Sequence, residues 1–134
     1  MTGSALLDES SATRVVIGGL PELLLRMVVE LLQQQPDMLI TAVVHDPVEL
    51  LVAAKEGPDV AVIGGTQRDS LPGIATHLLT QFPAMRVLVL TTQNDDVFAF
   101  WMGLHRKRFE VRSGQQLTGI VRWLGQMDAL VEHE

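Results

Sequence analysis

Five short β-branched runs, each followed by a segment with helical apolar spacing, dictate what this chain can become. The runs are Arg14–Ile17, Met38–Val44, Asp59–Ile63, Arg86–Leu90 and Lys107–Arg112. The segments after them, Pro21–Gln34, Pro47–Glu56, Leu71–Gln81, Asp95–Gly103 and Gly114–Val131, repeat their apolar residues at helical intervals. Strands alternating with helices form parallel sheets whose crossovers cover both faces. The expectation is therefore a doubly wound α/β domain with a parallel five-stranded sheet. It spans residues 13–131, behind a flexible, small and polar N-terminal arm of residues 1–12.

Local signals place the boundaries. Asp46-Pro47-Val48-Glu49 joins an N-cap, a proline at the first helical position and a capping-box glutamate. Ser113 with Gln116 repeats the logic at the last helix. Gly57-Pro58 and Pro83 stop the second and third helices, and Gln35-Pro36-Asp37 closes the first.

Composition narrows the function classes. A chain of 134 residues fits one domain able to bury roughly 65–70% of its unfolded surface. It has no cysteine, which excludes disulfides and thiolate chemistry. A net charge of −6 argues against direct nucleic-acid binding, which needs a basic face. No apolar stretch has the length of a membrane span and no signal peptide opens the chain, so the expectation is a cytoplasmic protein without a membrane anchor. Ile17-Gly18-Gly19-Leu20-Pro21 lacks the G-x-G-x-x-G spacing of dinucleotide binders. His45, His77, His105 and His133 are scattered, without metal-ligand spacing. The reading is of a non-enzyme with no metal and no cofactor.

Two strand ends stand out. Val60-Ala61-Val62-Ile63 runs into Gly64-Gly65, and Val15-Val16-Ile17 runs into Gly18-Gly19. In folds of this class the crevice for chemistry lies at the carboxyl ends of the strands, and here those ends carry no carboxylate.

With that order in view, the chain resembles the receiver domain of bacterial response regulators, over about Thr13 to Gly125. Arg14-Val15-Val16-Ile17, Gly57-Pro58-Asp59-Val60-Ala61-Val62-Ile63 and Phe82-Pro83-Ala84-Met85-Arg86-Val87-Leu88-Val89-Leu90-Thr91-Thr92 carry the resemblance, the last leading into Asn94-Asp95-Asp96. It is closest to receivers that precede a helix-turn-helix DNA-binding domain. The resemblance implies a flavodoxin-like (βα)5 fold with strand order 2-1-3-4-5. Position by position, it sets the Mg²⁺-holding acidic pair on Gly19 and Leu20 and the phosphate-accepting aspartate on Gly64. The hydroxyl is matched by Thr91, the switch aromatic by Phe109, and the lysine is replaced by Arg112. All three carboxylates are thus missing. Aspartyl phosphorylation needs a carboxylate nucleophile, and Mg²⁺ needs oxygen ligands. Neither Asp46, which caps a helix, nor Glu22 or Asp69 is expected in the same pocket.

Two functions remain open. The first is a pseudo-receiver of a two-component system: a signal-transduction domain acting by homodimerisation or partner contact, and regulating transcription through an attached or partner DNA-binding domain. Glu22, Arg26 and Glu30 form the one polar stripe of the first helix, so Leu25, Val29 and Leu32 are candidate contact residues. Phe98, Trp101 and Met102 of the Asp95–Gly103 segment are others, since aromatics and Met are enriched at interfaces. The same residues also read as core. The second is a sensor of a small anionic ligand in the emptied crevice, with Gly18, Gly19, Gly64, Gly65, Thr91, Thr92 and Arg112 around it. Backbone N–H groups and a guanidinium would supply the donors. His105-Arg106-Lys107-Arg108 reads as a solvated basic loop before the last strand.

Overall fold

The structure, a computed structural model, describes residues 12–65, 73–91, 96–101 and 105–126. In chain order the elements are β1 (Thr13–Gly18), α1 (Glu22–Gln33), β2 (Met38–Val44), α2 (Pro47–Ala54) and β3 (Val60–Gly65). They continue with α3 (Gly73–Gln81), β4 (Arg86–Thr91), β5 (Asp96–Trp101), β6 (His105–Glu110) and α4 (Gly114–Gln126). Residues 1–11 of the expected arm lie outside the described residues.

The six strands form one mixed sheet in the order β2-β1-β3-β4-β5-β6. β1 pairs in parallel with β2 and β3, and β3 with β4; β5 is antiparallel to both β4 and β6. Alternate residues feed two cores. Val15, Ile17, Val60, Val62, Leu88 and Leu90 pack with Val28 and Leu32 of α1 and with Leu117 and Leu124 of α4. Val16, Ala61, Ile63, Val87 and Val89 pack with Leu50 of α2 and Leu78 of α3. Strands covered on both sides cannot afford an alternating polar face, which is why β1, β3 and β4 read as unbroken apolar runs.

The expected parallel five-stranded sheet is corrected on one side. The segment Asp95–Gly103 is not a helix: residues 96–101 form β5, inserted between β4 and the last strand. A helix on a sheet keeps one face in water, and Val97-Phe98-Ala99 has no polar face to keep there. As a strand it sends Val97 and Ala99 into the α1/α4 core and Phe98 into the α2/α3 core. Aromatic and β-branched residues also suit a pleated surface. The last strand ends at Glu110, two residues before the expected Arg112.

The two edges of the sheet differ. β6 carries His105, Arg106, Lys107, Arg108 and Glu110, which makes the basic tetrapeptide strand rather than loop. β2 carries no charge, and its Leu39 and Val43 are exposed. Its register with β1 slips between Val15 and Val16, where Thr41 Oγ1 donates to the Val15 carbonyl (3.3 Å).

Both capping boxes form. The Glu49 N–H donates to Asp46 Oδ1 (2.8 Å) and the Gln116 N–H to Ser113 Oγ (3.3 Å). In each case the reciprocal side chain reaches one residue further back, to the His45 N–H (3.0 Å) and the Arg112 N–H (2.6 Å). The end of α4 lies directly on the start of β1. A Cβ at Gly125 would stand 2.9 Å from Thr13 Cβ, so only glycine permits that approach.

A forked ion pair ties α4 to the loop before β2. Arg122 donates from Nε to Asp37 Oδ2 (2.6 Å) and from Nη2 to Asp37 Oδ1 (3.1 Å) and Gln35 Oε1 (3.0 Å). The guanidinium hydrogen bonds hold the Asp37 carboxyl below its ordinary value of 3.8, against a smaller opposing effect of burial. A depressed folded pKa stabilises above the unfolded value, and that stabilisation is lost as pH falls through the folded one. Asp37→Asn is therefore expected to lower stability at neutral pH by up to about 1 kcal/mol, the range of half-exposed pairs. In urea titrations the gap from the parent should close as the pH drops below the ordinary aspartate range.

Candidate functional site

The strand ends of β1 and β3 meet where chemistry would be expected, but they are closed. Gly19 has φ +69°, a left-handed conformation that turns the β1–α1 connection back over the sheet. This brings the Gly19 carbonyl oxygen to 2.7 Å from where a Cβ at Gly64 would stand, with Leu20 Cδ2 at 3.4 Å. Leu20 itself is buried in the α1/α4 core. The volume that a side chain at position 64 needs is thus already held by backbone and by a leucine.

What remains on the α2/α3 side is a cleft of about 70 Å³ lined by Gly18, Gly19, Gly64, His45 and Asp46 among others. At roughly 30 Å³ per water, that is room for about two waters. Asp46 reaches this cleft, contrary to expectation, because β2 adjoins β1 and its carboxyl end opens beside Gly18. Sequence reading set His45 and Asp46 aside, although the expected strand order already put the carboxyl end of β2 beside Gly18. The Asp46 carboxylate already caps α2 through Oδ1. Among the described residues, no three histidine, aspartate or glutamate side chains come together as a metal site.

Thr91 and Arg112 lie elsewhere. They line a second cleft, of about 300 Å³, between α1 and the start of α4. The proposed crevice therefore divides: Gly18, Gly19 and Gly64 open among residues of the α2/α3 core, Thr91 and Arg112 among those of the α1/α4 core. Gly65 pairs with Thr91 in the β3–β4 register and lines neither cleft. Thr92 is outside the described residues. Arg112 is exposed, with its guanidinium 3.1 Å from Glu110 Oε1.

Compared with protein-family models and with curated protein sequences, the chain matches none.

The candidate contact surfaces differ from expectation in detail. Leu32 is completely buried and Phe98 only 7% exposed, so neither is a contact residue; both serve the cores. Leu25 and Val29 are half-buried against the α1/α4 core. The side chain of Trp101 and all of Met102 lie outside the description. The spare apolar surface of α1 is real but lies on another side: Leu23 is 71% and Met27 52% exposed. On α2, Val48 and Val52 are likewise exposed. Phe109 sits on β6, half-buried, with Trp123 edge-on at 5.8 Å and Lys107 Nζ 5.6 Å from its ring centre. Sequence reading missed Trp123, which is exposed on α4 one turn beyond the buried Ile120.

Proposed function

We propose that this domain is a receiver-like regulatory module of the two-component type that works without phosphorylation. It acts by contact with a second copy or with another protein, and regulates transcription through an attached or partner DNA-binding domain. It performs no catalysis, holds no metal and does not itself grip nucleic acid. The observation that carries the reading is the packing of Gly19 and Leu20 against Gly64. A phosphate-accepting carboxylate is absent from position 64, and the space it would occupy is filled. The strand order β2-β1-β3-β4 with helices on both faces supports the family likeness, while the β5 insertion departs from it. Two exposed apolar pairs, each one helical turn apart, support contact as the mode of action: Leu23 with Met27 on α1, and Val48 with Val52 on α2.

No helix among the described residues is long and apolar enough to cross a membrane. A small-anion sensor centred on the glycines is not favoured, because that cleft is small and has Asp46 in its wall.

The test has two readouts on one sample. The protein is incubated with acetyl phosphate and Mg²⁺, then measured by intact mass and by light scattering over a concentration series. The expected result is no phosphoryl adduct, with self-association or partner capture indifferent to the phosphodonor and weakened by Leu23→Lys with Met27→Lys. An adduct mapping to this domain, or association that requires the phosphodonor, would overturn the proposal.

A further inference from the structure

We infer that the cleft between α1 and α4 binds a small amphipathic carboxylate: an anionic head on a short unbranched aliphatic chain. The cleft lies within one chain and shares only Met27 with the contact surface proposed above, so binding is measured on dilute, monomeric protein. Its volume of about 300 Å³ stands at the low end of ligand pockets, roughly 300–1,000 Å³. Eight of its twelve described lining residues are apolar, and none is acidic. Leu24, Met27 and Leu31 form the α1 wall, Leu90 and Val97 the floor, and Leu117 the α4 wall. Water gains little in such a space, since an ordered water needs two to four polar partners. An aliphatic chain gains from every methylene it hides there.

The polar groups gather at one end. Thr91 is 7% exposed and contributes to the wall at the end of β4. Arg112 and Ser113 lead directly into Gly114 at the start of α4, and all three line the cleft. The Arg112 backbone is fixed by its hydrogen bond to Gln116 Oε1, so the residue is held at the entrance. Its guanidinium is the one charge among the described lining residues, and a guanidinium fork matches a carboxylate in two parallel hydrogen bonds. It rests on Glu110, with both side chains more than half exposed. Exposed pairs of this kind contribute little, so exchanging Glu110 for a ligand carboxylate costs little. The combination selects against cations, which meet Arg112, and against small inorganic anions, which leave the apolar walls uncovered.

The probe is hexanoate, compared at constant ionic strength with acetate (head alone) and 1-hexanol (chain alone). Amide NMR titration of the whole chain locates binding, and thermal shift measures linkage, because a ligand of the folded state raises Tm with concentration. Hexanoate is expected to give saturable shifts at Leu31, Thr91 and Arg112 and a rise in Tm; acetate should give neither. Arg112→Gln should weaken hexanoate about tenfold, the scale of one charge-assisted hydrogen-bonding contact, while leaving hexanol unchanged. Met27→Trp, at a half-exposed position, should block both probes without unfolding the domain. The inference is overturned if hexanoate behaves like acetate, if its shifts map outside this cleft, or if Arg112→Gln binds hexanoate as the parent does.

Discussion

Placing an aspartate at Gly64 is expected to destabilise the domain by about 1–3 kcal/mol, the usual range for overpacking a filled site, and to create no phosphate acceptor. A Cβ there meets the Gly19 carbonyl oxygen at 2.7 Å, and a backbone atom cannot swing aside as a side-chain tip can. The carboxylate would also face a carbonyl oxygen, a contact between two acceptors. The Gly19 turn must then open, which disturbs the packing of Leu20 in the α1/α4 core. Urea denaturation should show a lower midpoint for Gly64→Asp. Gly64→Ala should show much of the same loss, because most of the clash comes from the first side-chain atom. Full parental stability in Gly64→Ala would mean that the crevice is open after all.

Leu32→Ala is expected to cost about 2–5 kcal/mol, as deletion of a fully buried leucine does, with no change in association beyond that caused by unfolding. Leu23→Ala, nine residues earlier on the same helix, should leave the denaturation midpoint nearly unchanged, because its side chain is already in water. The contrast separates the two sides of α1. Val28 and Leu32 anchor it to the sheet, whereas Leu23 and Met27 are available for contact. If Leu32→Ala were stable and reduced association, the assignment of these two sides would be reversed.

Much of this architecture was legible from local chemistry. The β-branched runs of β1 to β4, the two capping boxes and the proline and glycine stops all mark real elements within a few residues. Residues 96–101 misled because a short apolar run fits both a crowded helix and a doubly buried strand, and periodicity cannot separate them. The choice was made by neighbours: β4 and β6 both pair with β5, and pairing is a property of the assembled sheet. Leu32 and Phe98 were misjudged for a related reason. An excess of apolar residues shows that an element has more than one apolar side, but not which side meets water. At the site, the loss of acids was visible in Gly19, Leu20 and Gly64 themselves. That the loop had closed over the loss was not, since this depends on the positive φ of Gly19 and on a contact between residues 45 positions apart.

The unequal edges of the sheet set a limit on assembly. A free strand edge is a template for further strands, and proteins guard such edges with charge. Here β6 is guarded by the exposed Lys107 and Arg108, and β2 carries no charge. If two chains join through β2, each contributes its single adhesive edge and each turns a cationic strand outward. The joined sheet then has no receptive margin left on either side. Growth by strand addition through that edge would stop at two chains, so an edge that would seed fibres in another protein would here close a pair.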